Sequence, residues 1–141
     1  PKLANDLKQY PVLRRHQYFI VVGGAAWAMS TLMHPDNQDA YVPLSRQDFS
    51  DYFARLSANT DAALNPSLDG IADAKVKEKA AKQIASVKGV FTPENLLAGA
   101  RMLKMIGELD PFGQADIYFA RDGNWAYGLA EAQALSKTVG K

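Results

Sequence analysis

The stretch that decides the fold is Tyr18–Met33, which reads YFIVVGGAAWAMSTLM. Its sixteen residues include no charged side chain, and the hydroxyls of Ser30 and Thr31 interrupt an otherwise apolar run near its end. A helix that lacks a polar face lies either in a protein core or in lipid. The stretch therefore predicts a buried helix. The residues on either side of it indicate whether protein or lipid surrounds this helix.

The flanking prolines place the predicted ends of this helix beyond the apolar stretch. Pro11 suits a first helical turn, and Pro35 would end the helix at the residue before it. A helix over residues 11–34 would be about 36 Å long, which exceeds the roughly 30 Å hydrocarbon core of a bilayer. The sequence thus predicts a membrane-spanning helix here. Its interfacial anchors would be the charged and aromatic side chains of Tyr10, Arg14, Arg15 and Tyr18.

The charges are distributed unevenly about this segment. Four basic side chains and one acidic side chain precede it, for a net charge of +3, whereas the twelve basic and fourteen acidic residues after it sum to −2. Basic residues beside a span are retained on the inner side of the membrane. We expect residues 1–10 to form a basic tail on the cytoplasmic, matrix or stromal side. The C-terminal part would then lie on the opposite side.

Three other interpretations of the apolar stretch stay open. Arg14 and Arg15 before an apolar run are also typical of a signal peptide, although no small-x-small cleavage site follows. The letters FIVVGG are typical of a strand that enters a glycine turn in a dinucleotide fold, but the third glycine and the later acidic residue of that motif are missing. The third interpretation is a central core helix of a soluble domain, which Trp27 at mid-span favours.

Small residues recur at helical spacing within the stretch. Gly24 and Ala28 are four residues apart, as are Ala26 and Ser30. Such pairs allow a second helix to approach closely. In the membrane interpretation, we expect these four residues and Trp27 to form a helix-packing interface against a larger subunit, or against a pigment, haem or lipid held by the host complex.

The remainder of the sequence predicts a small helical domain. Residues 35–44 are polar and rich in turn formers, so they predict a linker, and residues 45–141 form the domain. Ser45 and Asp48 begin a helix over 46–58 as a capping pair. A Lys-rich amphipathic helix covers 68–88, with its lysines forming a solvated face.

Two further elements follow toward the C-terminus. Thr92 and Pro93 mark the start of a helix that ends near Asp110. Residues 117–120 and 125–128 are short aromatic runs on either side of a turn, which predicts a β-hairpin, and residues 129–139 favour a final helix. The predicted fold class is therefore mainly α: one membrane-spanning helix, a small helical domain and a short C-terminal hairpin.

The sequence contains few residues that support catalysis. It has no cysteine, and its two histidines, His16 and His34, would lie about 27 Å apart on one continuous helix. Each histidine alone is a candidate ligand for a pigment or a haem, although a place at a helix end explains both. No nucleophile motif, metal-binding motif or phosphate-binding glycine loop occurs. We expect no catalytic residue, no metal site and no cofactor of the chain's own.

Composition limits the classes of partner. A net charge of +1, with 48% hydrophobic and 22% charged residues, does not suit a protein that binds nucleic acid through phosphate neutralisation. The order of parts resembles accessory subunits of respiratory and photosynthetic complexes. The main prediction is a non-catalytic, single-span accessory subunit that packs against larger membrane subunits and lipid. The alternative is a soluble helical binding or interaction module in which residues 18–33 form the core helix.

Overall fold

The computed structural model describes residues 16–108, 114–121 and 123. Within these residues the chain forms five helices and a three-stranded sheet. In chain order the elements are β1 (Tyr18–Val21), α1 (Gly24–Met33), β2 (Tyr41–Leu44), α2 (Arg46–Ala58), α3 (Thr60–Ala63), α4 (Ala74–Val90), α5 (Pro93–Glu108) and β3 (Asp116–Ala120).

The apolar stretch is divided between a strand and a helix, so the prediction of one helix over residues 11–34 is wrong. Its first part, Tyr18–Val21, consists of aromatic and β-branched residues, which fit a pleated sheet better than a helix. Gly23 then turns the chain with φ 98° and ψ 171°, a conformation that side chains with a Cβ rarely adopt. The helix begins after this turn, at Gly24.

The prediction of a membrane span is wrong as well. Helix α1 has 10 residues, which corresponds to about 15 Å or half of a hydrocarbon core. Across residues 16–108, 114–121 and 123, no helix combines the length and the apolar character that crossing a bilayer requires. The predicted single-pass topology, with the N-terminus inside and the domain outside, depended on this span and is therefore wrong as well.

Strand β3 is the centre of the sheet. It pairs in parallel with β1, with Tyr18 opposite Asp116, and antiparallel with β2, with Leu44 opposite Ile117. The predicted strand at residues 117–120 is therefore present. The predicted hairpin is wrong, because β1 and β2 occupy both edges of this strand, and residues 125–128 lie outside the described residues.

Helix α1 lies in the centre of the fold, in contact with α2, α4, α5 and β3. Ala28 and Met29 have no exposed surface, and Leu32 is also buried. A helix that is buried over most of its surface needs no polar face, which explains its apolar sequence. The alternative prediction of a buried central helix is the one that the structure favours, with its start moved to Gly24.

Local capping signals fix the ends of the other long helices. The predicted capping box at the start of α2 is confirmed: the Ser45 hydroxyl accepts a hydrogen bond from Asp48 N at 3.1 Å, and Ser45 N donates to Asp48 Oδ2 at 2.6 Å. Helix α5 begins at Pro93 behind Thr92, as predicted. Helix α4 begins at Ala74, later than predicted, because the Asp73 carboxylate caps it.

Candidate functional site

An apolar cleft opens beside the C-terminal end of α1. It has a volume of about 300 Å³ and lies between α1, α2, the short helix α3 and the chain that follows α3. Most of its wall is hydrocarbon, and its polar groups come from a tyrosine, an arginine and an asparagine. The lining residues are Leu32, Met33, Tyr52, Arg55, Ala58, Asn59, Ala62, Ala63 and Pro66.

Helix α2 and its C-cap supply the three polar side chains of the cleft. Tyr52 and Arg55 are three residues apart on α2, and Asn59 is the C-cap residue that follows Ala58. The capping box at Ser45 fixes where this helix begins.

Asn59 forms the corner between α2 and α3. Its backbone N–H donates to Arg55 O at 3.1 Å and closes α2, while its side-chain Oδ1 accepts a hydrogen bond from Ala62 N at 3.0 Å and caps α3. The Thr60 hydroxyl adds a bond to Leu56 O at 2.8 Å. These bonds hold Ala62 and Ala63 across the cleft from α1, so the opening does not depend on packing alone.

Tyr52 is the one side chain in the cleft wall whose polar group is fully buried. The residue is 2% exposed, and its hydroxyl has no hydrogen-bond partner. Burial raises the pKa of this phenol above its ordinary value, so the group is a neutral donor and acceptor at all physiological pH values. An unpartnered buried hydroxyl costs about 1–3 kcal/mol, and a bound polar atom that reached it would remove that cost.

Arg55 lies one helical turn from Tyr52, on the exposed side of the cleft. Its guanidinium makes no ion pair and no hydrogen bond with the part of the chain that the structure describes. The lining contains no aspartate or glutamate that would neutralise this charge. The rim of the apolar cleft therefore carries a positive charge that has no ion-pair partner among the described residues, and the nearest acidic residue on the same helix is Asp51, one turn earlier.

A second cavity, of about 230 Å³, lies at the glycine turn after β1. It is the place where a dinucleotide fold would bind a pyrophosphate, at the carboxyl ends of parallel strands. Its arginine, Arg121, is used elsewhere: it donates to the carbonyls of Asn37 and Asp39 and to Gln83 Oε1, and so fixes the loop before β2.

The two glycines of this turn have structural explanations. Gly23 adopts a positive φ, and a Cβ on Gly24 would lie 2.9 Å from Phe91 Cζ. Close packing and backbone conformation therefore account for the pair. The dinucleotide interpretation gains no support from this geometry.

The residues predicted to form a helix-packing interface make contacts within this same chain. Ala26, Ala28 and Ser30 are buried in the core. Trp27 is half-buried, with its ring centroid 6.1 Å from that of Phe91, so its aromatic neighbour is in the same chain. Gly24 contacts the same phenylalanine.

The predicted ligands and anchors are dispersed. His16 is exposed and lies edge-on to Phe19 at 6.3 Å, whereas His34 follows α1 and has its Nε2 3.1 Å from Asp48 Oδ1. Tyr18 is on the exposed face of β1. The described segments contain no group of three or more histidine, aspartate or glutamate side chains arranged to hold a metal. The other three predicted anchors, Tyr10, Arg14 and Arg15, lie outside the described residues.

Comparison with known proteins adds no functional information: no family model matches the chain, and neither the curated proteins nor the solved structures include a significant match.

The sequence contained only part of the signal for the cleft. Helical spacing predicts one apolar face of α2 with Phe49, Tyr52, Phe53 and Leu56, of which Phe53 is half-buried and the other three are buried. Arg55 lies beside the apolar face of α2, and no pattern in the sequence indicates a function for it. The separation of α3 from α1 that opens the cleft depends on tertiary packing, which spacing along one helix does not reveal.

Proposed function

We propose that this chain is a non-catalytic binding domain that holds a small apolar ligand in the cleft between α1, α2 and α3. The observation that carries the proposal is the buried, unpartnered hydroxyl of Tyr52 in an otherwise apolar wall. Ligand sites in proteins are typically concave and apolar, with a few polar groups that fix the ligand's orientation. The cleft has this composition: most of its wall is hydrocarbon, and its polar residues are Tyr52, Arg55 and Asn59.

The cleft volume limits the size of this ligand. About 300 Å³ corresponds to roughly ten water molecules in the liquid, and hence to about ten non-hydrogen atoms. A ligand of that size binds with about 4–8 kcal/mol, which corresponds to a Kd between about 1 mM and about 1 μM. We therefore expect reversible binding of a small molecule.

Binding fits the lining better than catalysis. The cleft is lined by no histidine, carboxylate or cysteine, so Tyr52 has no neighbouring base in the wall that would activate it. Its raised pKa keeps the phenol protonated, which suits donation of a hydrogen bond. The absence of an enzyme activity stays a prediction, as does a role as an accessory subunit, and neither now depends on a membrane span.

The proposal is tested by filling the cleft. Ala62 lines it from α3, and Ala62→Phe would place a ring in the space that the ligand needs. We expect calorimetry to show one molecule of 1-octanol bound per wild-type chain, and Ala62→Phe to weaken this binding at least about tenfold, a loss of about 1.4 kcal/mol.

The matched control is Ala85→Phe, on the exposed side of α4 and away from the cleft lining. It should bind 1-octanol as the wild type does, and circular dichroism should show both variants folded. Failure of the wild-type chain to bind the alcohol, or equal affinity in the folded Ala62→Phe variant, would contradict the proposal.

A further inference from the structure

Arg55 differs from the other arginines within the described part of the chain. Arg46 donates to Ala115 O at 3.4 Å, Arg121 donates to two backbone carbonyls and to a glutamine, and the Arg101 guanidinium lies 5.9 Å from the centroid of the Phe53 ring. Arg55 makes no comparable contact there, although it lines the cleft. A structural role that explains the other arginines does not explain this one.

Its position beside the apolar wall suggests the chemistry of the ligand. Side chains three residues apart on a helix have their Cβ atoms about 5–6 Å apart, so Arg55 lies next to the part of the wall that Tyr52 contributes. A guanidinium binds a carboxylate through two parallel N–H bonds. The rest of the wall is hydrocarbon and suits an apolar chain.

We infer that the ligand is a small carboxylic acid with an apolar body of about eight carbon atoms, with its carboxylate bound by Arg55 at the rim of the cleft. The size follows from the cleft volume of about 300 Å³. This inference rests on the proposed binding function. A single guanidinium without another cationic side chain in the lining balances one negative charge, which favours a carboxylate over a phosphate dianion.

Binding of octanoate, 1-octanol and acetate to the wild-type chain tests the inference by calorimetry. The first two probes each contain eight carbon atoms and differ in charge, and acetate carries the carboxylate with a single methyl group. We expect octanoate to bind more tightly than 1-octanol, and acetate to show no measurable binding. Raising the ionic strength from about 0.1 M to about 1 M, which shortens the screening length from about 10 Å to about 3 Å, should weaken octanoate binding selectively.

The decisive variant is Arg55→Gln, with Arg101→Gln on α5 as the matched control. Arg55→Gln should weaken octanoate binding about threefold to tenfold and change 1-octanol binding by less than about twofold, because Arg55 is exposed and part of its interaction is screened. Arg101→Gln should change neither.

Two outcomes overturn the inference and are distinguishable from each other. Equal binding of octanoate and 1-octanol to the wild type, or an equal loss of both in Arg55→Gln, would exclude recognition of a carboxylate and leave the apolar site intact. Binding of neither probe would exclude the proposed function itself, and the carboxylate inference with it.

Discussion

Met29→Ala is expected to lower the free energy of unfolding by about 2–5 kcal/mol, measured by chemical denaturation. Met29 lies in the middle of α1 and has no exposed surface. Truncation removes its burial from water and leaves a cavity that the surrounding elements refill incompletely. A loss of this size is a large fraction of the roughly 5–15 kcal/mol that stabilises an ordinary domain.

Met102→Ala is the matched control for this variant. The same truncation is made there on α5, where the side chain is 45% exposed, and we expect a change within about 0.5 kcal/mol. A loss in Met29→Ala as small as that expected for Met102→Ala would contradict the placement of α1 at the centre of the core.

Gly23→Ala is expected to destabilise the chain by about 1–3 kcal/mol, because alanine is strained at φ 98° and ψ 171°. No atom lies within 4 Å of the place where its Cβ would stand, so the effect isolates backbone conformation from packing. Thermal or chemical unfolding measures it.

Gly89→Ala is the same substitution at another glycine, and we expect the opposite effect on stability. Gly89 lies in helical backbone of α4 with open space around its Cβ position, so alanine should raise stability by about 0.4–1 kcal/mol through a less flexible unfolded chain. If Gly23→Ala were as stable as the wild type, the turn between β1 and α1 would not have the described conformation, and one continuous helix would again be tenable.

The elements that could be predicted are those with local signals. The starts of α2 and α5 follow from side chains within one turn of each helix, at Ser45, Asp48 and Thr92. The prediction for the apolar stretch was wrong because the strand and the helix are both apolar in sequence and neither shows a polar period, although one face of β1 is exposed. Its strand is defined by pairing with β3, far along the chain, and no local pattern reports that partner.

The predicted helix-packing surface at Gly24 and Ala28 shows a related effect. Gly24 and Ala28 do allow close approach, but the atoms that approach Gly24 belong to Phe91 in the same chain and not to a second helix. Spacing identifies a small surface and cannot identify what covers it. The charge asymmetry that supported a span was counted largely on residues 1–15, which lie outside the described residues.

The candidate site likewise combines a feature that follows from the sequence with one that follows only from the fold. Tyr52 could be assigned to the buried face of α2 from its spacing, whereas the cleft that it lines also requires Leu32, Met33 and Ala63, which come from elsewhere in the chain. In the sequence, nothing distinguishes Arg55 from the other charged residues that are expected on the surface. The fold gives it a distinct environment by placing an apolar cleft beside it.

The binding site is tested most directly by nuclear magnetic resonance of the methionine methyl groups during titration with 1-octanol. The chain has four methionines: Met33 lines the cleft, Met29 is in the core, and Met102 and Met105 are exposed on α5. We predict that the Met33 methyl shows the largest shift and direct contacts to the ligand, while the Met102 and Met105 signals stay in place. A Met33 signal that is unchanged at saturating alcohol, or a response confined to Met102 and Met105, would contradict the account.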